Sequence, residues 1–220
     1  MKKKHKTIYI YDQIGGDGIN AMDIVRELDG VEGNIDIHIN SGGGSVSQGV
    51  SIYNTIKQYD RGAVTVYVDG LAASIASIIA LAGEKLVMAE GSLLMWHYAH
   101  TVMAGNATDF RKEAEVLEQH NNTLIDIYAS NTPLSREEID GMMAAETWLT
   151  AAEAYELGIA TDVSGELKQV ASVNIDVFNN APNELLEILD LNSKSFSAPE
   201  EPTEEPAEEV EEKEETPEDN

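Results

Sequence analysis

Ile35-Asp36-Ile37-His38-Ile39 runs without a spacer into Asn40-Ser41-Gly42-Gly43-Gly44-Ser45, and this stretch decides the fold. Isoleucine at every second position, with Asp36 and His38 between, is the period of a half-buried strand. The glycine and small polar residues that follow mark a turn. After the turn, Val50, Ile52, Tyr53 and Ile56 recur at helical spacing and predict a helix over 46–58. Strand, glycine-rich turn and helix in that order are one step of an alternating α/β chain.

The same order continues on both sides. Upstream, 7–11 reads as a strand, Gly15-Gly16-Asp17-Gly18 as a turn, and 20–28 as a helix with Met22, Val25 and Leu28 on one side. Downstream, 63–68 is a strand that turns at Asp69-Gly70 into an apolar helix over 71–82, and 86–88 and 93–96 are short strands. A long amphipathic helix over 106–130 is expected to bury Phe110, Val116, Leu117, Leu124, Ile125 and Tyr128; Pro133 ends that region. Helices follow at 136–144 and 151–157, the latter closed by Gly158. A late strand at 175–177 and a weak helix at 184–191 complete the reading, and no repeat of fixed period occurs. Strands alternating with helices predict an α/β fold with parallel pairing in one globular domain over 7–170, followed by a linker or arm over 171–198.

Charge separates the ends from the middle. Of 220 residues, 14 are Lys or Arg and 40 are Asp or Glu, a formal net charge of −26. Residues 200–220 hold twelve acids and one lysine, a net of −11, which leaves −15 on residues 1–199. With Pro199, Pro202, Pro206 and Pro217 and almost no apolar side chains, 199–220 cannot bury enough surface to offset its ordering entropy, and a disordered acidic tail is expected. Lys2, Lys3, Lys4 and Lys6 make 1–6 a basic tail, but no long apolar stretch follows as in an export signal. The longest apolar run, 71–82, is shorter than the roughly 20 residues of a membrane span. A soluble, cytoplasmic protein is expected. Strong acidity argues against nucleic acid and anionic membrane surfaces as partners. With no cysteine there is no disulfide, thiolate site or Cys nucleophile, and no metal-binding spacing such as HExxH occurs. No metal or cofactor is expected.

Two places could carry chemistry. The turn at 42–44 admits three readings. A phosphate cradle would need the Gly-Lys-Ser/Thr ending that Gly44-Ser45-Val46 lacks, and the dinucleotide fingerprint fits only loosely. A tight turn is the plain reading. An oxyanion hole, built from the exposed N–H groups, is the third. Ser74 stands near the start of an apolar helix, where a serine commonly caps. It becomes a nucleophile candidate only with a base and an orienting carboxylate. His97, after the apolar Met95-Trp96, is the candidate base; His38 and His100 compete with it, while His5 lies in the basic tail and His120 on a polar helix face.

Here the chain resembles a family. Ile39-Asn40-Ser41-Gly42-Gly43-Gly44-Ser45-Val46 resembles the INSPGGSV segment of the proteolytic subunit of the Clp protease. Gly70-Leu71-Ala72-Ala73-Ser74 resembles its GMAAS nucleophile motif, Ala82-Gly83-Glu84-Lys85 its AGEK, and Leu94-Met95-Trp96-His97 its VMIH. Gly105-Asn106-Ala107-Thr108-Asp109 resembles GQATD, and Trp148-Leu149-Thr150-Ala151-Ala152-Glu153-Ala154 resembles FMSAEEA. The six blocks stand in family order and span residues 8–165.

The resemblance implies a single domain with the crotonase-like spiral of β-β-α units and a serine endopeptidase without cofactor. Ser74 would be the nucleophile, His97 the base, and the N–H groups of Gly44 and Ile75 the oxyanion donors. Glu146, 49 residues beyond His97, stands where the family has aspartate; Asp140 and Asp162 are alternatives. Gly42 replaces the family's proline. The implied substrate is a protein or peptide, and the implied assembly a homo-oligomeric ring, stacked through helix 106–130. Met142-Met143, Glu146-Thr147-Trp148-Leu149 and the acidic extension look more like the related head-maturation proteases of tailed phages and prophages, which process capsid or scaffold proteins. The housekeeping subunit docks an ATPase through an N-terminal segment, of which no counterpart is read before Ile8. The alternatives are that housekeeping subunit of an ATP-dependent protease and a catalytically silent ring component. A Ser-Lys dyad using Lys85, and an acyl-CoA enzyme of the similar fold, are the remaining readings.

Overall fold

Ile35, Ile37 and Ile39 are wholly buried in the computed structural model, which describes residues 5–165 and Asn180. In chain order the elements are β1 (Lys6–Ile10), α1 (Ala21–Leu28), β2 (Ile35–Ser41), α2 (Val46–Lys57), β3 (Val64–Ala73), α3 (Ile75–Ala80), β4 (Lys85–Ala89), β5 (Leu93–Trp96), α4 (Ala107–Asn131), α5 (Arg136–Ala144), β6 (Thr147–Thr150), α6 (Ala151–Glu156) and β7 (Asp162–Ser164). The alternating α/β architecture expected from the sequence is present. β1, β2, β3, β4 and β7 lie side by side in that order, all parallel. β5 also pairs in parallel with β3, and β6 pairs antiparallel with β5.

β3 organises the molecule because it serves two partners in succession. Thr65–Val68 pair with β4, whereas Leu71–Ala73 pair with β5. The strand therefore does not turn at Asp69-Gly70 as expected; it continues to Ala73, and the helix shrinks to Ile75–Ala80. Asn40 holds this second half, since its Oδ1 accepts the Leu71 N–H at 3.1 Å. The isoleucines of β2 and the valines of β3 form one core with Ile24 and Leu28 of α1, Ile52 and Ile56 of α2, and Ile75, Ile78 and Ile79 of α3. Helix α2 approaches α3 closely at Gly49, where an added Cβ would stand 2.1 Å from Ile75 Cγ1.

The opposite face of the sheet carries the residues between the isoleucines. His38 stacks on Tyr67 at 4.7 Å between centroids and on Tyr9 at 5.3 Å. Its Nδ1 pairs with Asp69 Oδ2 at 2.6 Å, and the Tyr11 hydroxyl donates to the same oxygen at 2.5 Å.

Two expectations are corrected by packing. Phe110 and Val116 are exposed, since α4 buries only Leu124, Ile125 and Tyr128, in its second half. In α1 the buried pair is Ile24 and Leu28, while Met22 and Val25 face outward. β6 and β7, four and three residues long, carry no period-2 pattern long enough to mark them as strands in the sequence. The strand at 175–177, the helix at 184–191, the linker apart from Asn180 and the acidic tail lie outside the described residues, as do residues 1–4. Among the described residues, no helix is long and apolar enough to cross a membrane.

Candidate active site

Ser74 occupies the single step between β3 and α3. Its φ of 55° and ψ of −130° are outside the ordinary range for a non-glycine residue. Such a residue costs on the order of 1–3 kcal/mol and persists only where its surroundings impose it. They do so here from three sides. The Ser74 N–H donates to Met95 O of β5 at 2.9 Å. The Ser77 hydroxyl donates to Ser74 O at 2.6 Å, and the wholly buried Tyr128 hydroxyl lies 2.7 Å from Ser77 Oγ. As the Ser77 proton is directed at Ser74 O, Tyr128 is the donor in that pair. Gly43 closes the third side: with φ of +93°, it lies so near that a Cβ would stand 2.8 Å from Ser74 Cβ and 2.7 Å from Ala73 O.

The strained turn aims the hydroxyl outward from the sheet end. Ser74 Oγ lies 2.7 Å from Nε2 of His97, the first residue after β5. Because β3 and β5 are paired up to Ala73 and Met95, the two residues emerge from neighbouring strand ends. Burial, reinforced by the neighbouring His100 and opposed by the Glu146 charge, lowers the His97 pKa from 6.5 to about 4. The imidazole is therefore neutral at pH 7 and able to accept a proton. His100 packs edge-on against His97 at 5.1 Å.

Among the described residues, Glu146 is one of two non-glycine residues with positive φ, at 50°; the other is Ser74. It sits between α5 and β6, is 8% exposed, and acts on His97 through its charge. The competing carboxylates are placed elsewhere. Asp140 accepts the Tyr98 hydroxyl at 2.7 Å, and Asp162 begins the edge strand β7, exposed to solvent. Lys85 is exposed at the start of β4, in register with Thr65 at the far end of β3 from Ser74. His38 is committed to Asp69, and His5 to Asp36 at 2.6 Å.

The glycine turn reaches the same corner. Gly43 packs directly on Ser74, and Gly44, with φ of +143°, has Ile14 O where a Cβ would be. No hydrogen bond among the described residues uses the N–H of Gly44 or of Ile75. Among the described residues there is no cluster of His, Asp or Glu suited to a metal ion. The support that Ser77 and Tyr128 give Ser74 is not legible in the sequence, because their contact joins residues 51 apart; a hydroxyl in the first turn after Ser74 and an expected buried Tyr128 are the available signals.

A family model described as Clp protease matches residues 3–166. The chain belongs to the Clp protease family. As a member it is a serine peptidase, and its mixed α/β domain with a parallel sheet is that family's fold. It is 32% identical to ATP-dependent Clp protease proteolytic subunit 1 of Protochlamydia amoebophila (strain UWE25), over 76% of this chain and 84% of that protein. The ATP-dependent Clp protease proteolytic subunit of Deinococcus radiodurans is 28% identical over 69% of this chain and 74% of its own. Proteolytic subunit 3 of Rhodococcus jostii (strain RHA1) is 33% identical, covering 61% and 67%.

Proposed function

We propose that this Clp-family chain is the proteolytic subunit of an ATP-dependent protease, cutting peptide bonds with Ser74 as nucleophile, His97 as base and Glu146 as the orienting carboxylate. The observation that carries this reading is the 2.7 Å contact between Ser74 Oγ and a neutral, half-buried His97 at a strained strand-to-helix turn. In the reaction His97 Nε2 takes the Ser74 proton as Oγ attacks the substrate carbonyl carbon. The Gly44 and Ile75 N–H groups then hold the oxyanion, with α3 running back from that point. The imidazolium passes its proton to the leaving amine, and a water, deprotonated by His97, releases the acyl group from Ser74. Glu146 stabilises the imidazolium by its charge and selects the tautomer with the proton on Nδ1. Glutamate serves in place of aspartate because the carboxylate, and not its stem, does this work.

The named relatives favour the ATP-dependent reading over capsid or scaffold processing. Substrates are then proteins or peptides, and the assembly a homo-oligomeric ring in the cytoplasm. The exposed Phe110 and Val116 on the first half of α4 suit ring stacking. A head-maturation protease remains the second reading, favoured by the acidic segment beyond the residues the family model matches. Purified protein should degrade a folded, tagged substrate only with ATP and a Clp-type ATPase. Cleavage of a capsid protein without ATP, and no ATPase stimulation, would establish the second reading instead.

A further inference from the structure

Glu146 is a carboxylate almost closed off from water, and such a group needs donors. One comes from a residue 34 positions further along the chain. The Asn180 N–H donates to Glu146 Oε1 at 2.6 Å, and the Asn180 side-chain amide donates to Ala145 O at 3.4 Å. A single residue thus grips both the turn that carries Glu146 and the carboxylate itself. Asn180 lies beyond residue 166, where the family model ends.

We propose that the Asn180 backbone N–H is a positioning group for the active site, fixing Glu146 Oε1 so that the rest of the carboxylate keeps one orientation toward His97. The proposal rests on the reading of Glu146 as the third member of the triad. Its physical basis is the length of the side chain. Glutamate has one more rotatable bond than aspartate and more rotamer freedom to lose. The backbone at Glu146, with φ of 50°, fixes where the side chain begins but not where its carboxylate ends. A short N–H to carboxylate bond to one oxygen fixes that end, and such charge-assisted bonds are the stronger kind. Asn180, beyond the matched protease domain, therefore acts on catalysis through Glu146 without touching substrate.

Two substitutions in the full chain separate the N–H from the side chain. Asn180→Pro removes the N–H donor; Asn180→Ala keeps it and removes only the bond to Ala145. Rates are expressed per site titrated with a fluorophosphonate, so that unfolded protein does not count. Asn180→Pro should lower kcat by about 10- to 100-fold with little change in KM, the effect of misplacing a reacting group. Asn180→Ala should lose at least tenfold less. Because the Glu146 charge raises the His97 pKa, a displaced carboxylate also moves the acid limb of kcat/KM to lower pH. Equal losses in the two variants, wild-type kcat in Asn180→Pro, or a loss with an unmoved acid limb would overturn the proposal. Glu146→Ala distinguishes its failure from that of the underlying reading. If Glu146→Ala keeps full activity, the triad assignment itself is wrong; if it is inactive while Asn180→Pro is normal, only the role of Asn180 falls.

Discussion

At Ser74 and Glu146 the chain adopts the only two positive φ angles outside glycine among the described residues; Ser74 Oγ contacts His97, and Glu146 acts on the same imidazole through its charge. Strain is concentrated at the proposed site, as expected where surroundings over-determine a residue. His97 sets the pH behaviour. Its pKa, lowered to about 4, places the acid limb of kcat/KM near that value and not near 6.5. His100→Ala removes one of the lowering influences and should move the limb upward, measurable in a pH–rate profile. The same shift acts on stability. Between about 4 and 6.5 the unfolded chain binds more protons at this residue than the native one, so its contribution is present above pH 6.5 and is lost as pH falls toward 4. Gly43→Ala meets Ser74 Cβ at 2.8 Å and forces an alanine to φ of +93°; peptidase activity should fall at least tenfold as Ser74 shifts. Ser74 and His97 stand in short motifs, and Glu146 at a position that the resemblance supplies, so all three are candidates in the sequence; the structure brings Ser74 Oγ to 2.7 Å from His97 Nε2. Asn180 is not a candidate in the sequence, because its proposed role lies in a backbone N–H that any residue but proline could supply.

Elements were legible where periodicity is long and obscure where pairing decides. β2 and α2 announce themselves through alternating isoleucines and a helical apolar stripe. Gly70 in β3 reads as a turn because glycine and a preceding aspartate are common turn residues. The strand passes through it because Leu71–Ala73 find a second partner in β5, and no local pattern encodes that partner. The error mattered for function: it placed Ser74 inside a helix start, when it stands at a strand-to-helix junction beside β5. Packing of α2 on α3 offers a test of this corner. Alanine normally stabilises a helix interior over glycine by roughly 0.8–1 kcal/mol. At Gly49 the sign should reverse, because the methyl would meet Ile75 Cγ1 at 2.1 Å; a loss of about 1–3 kcal/mol in denaturant unfolding is expected, as for overpacked cores. A stabilised Gly49→Ala would mean that α2 and α3 are further apart.

Over the whole molecule, the charge that dominates the composition is divided. The acidic 200–220 stretch lies beyond the matched family region, so it says nothing about the peptidase fold. The first half of α4 exposes Phe110 and Val116 in the single chain, and the proposed ring stacking would cover them. Phe110→Glu should therefore shift the sedimentation profile toward smaller species while leaving the domain's melting temperature nearly unchanged. A variant with unchanged sedimentation would remove α4 from the interface. The proposed function rests on one event at Ser74 Oγ. The most direct test is to label the wild-type protein with a fluorophosphonate and map the adduct by mass spectrometry, with Ser74→Ala beside it. A single adduct on Ser74, absent from Ser74→Ala along with peptide hydrolysis, is the expected result; an adduct on another residue, or hydrolysis retained without Ser74, would contradict it.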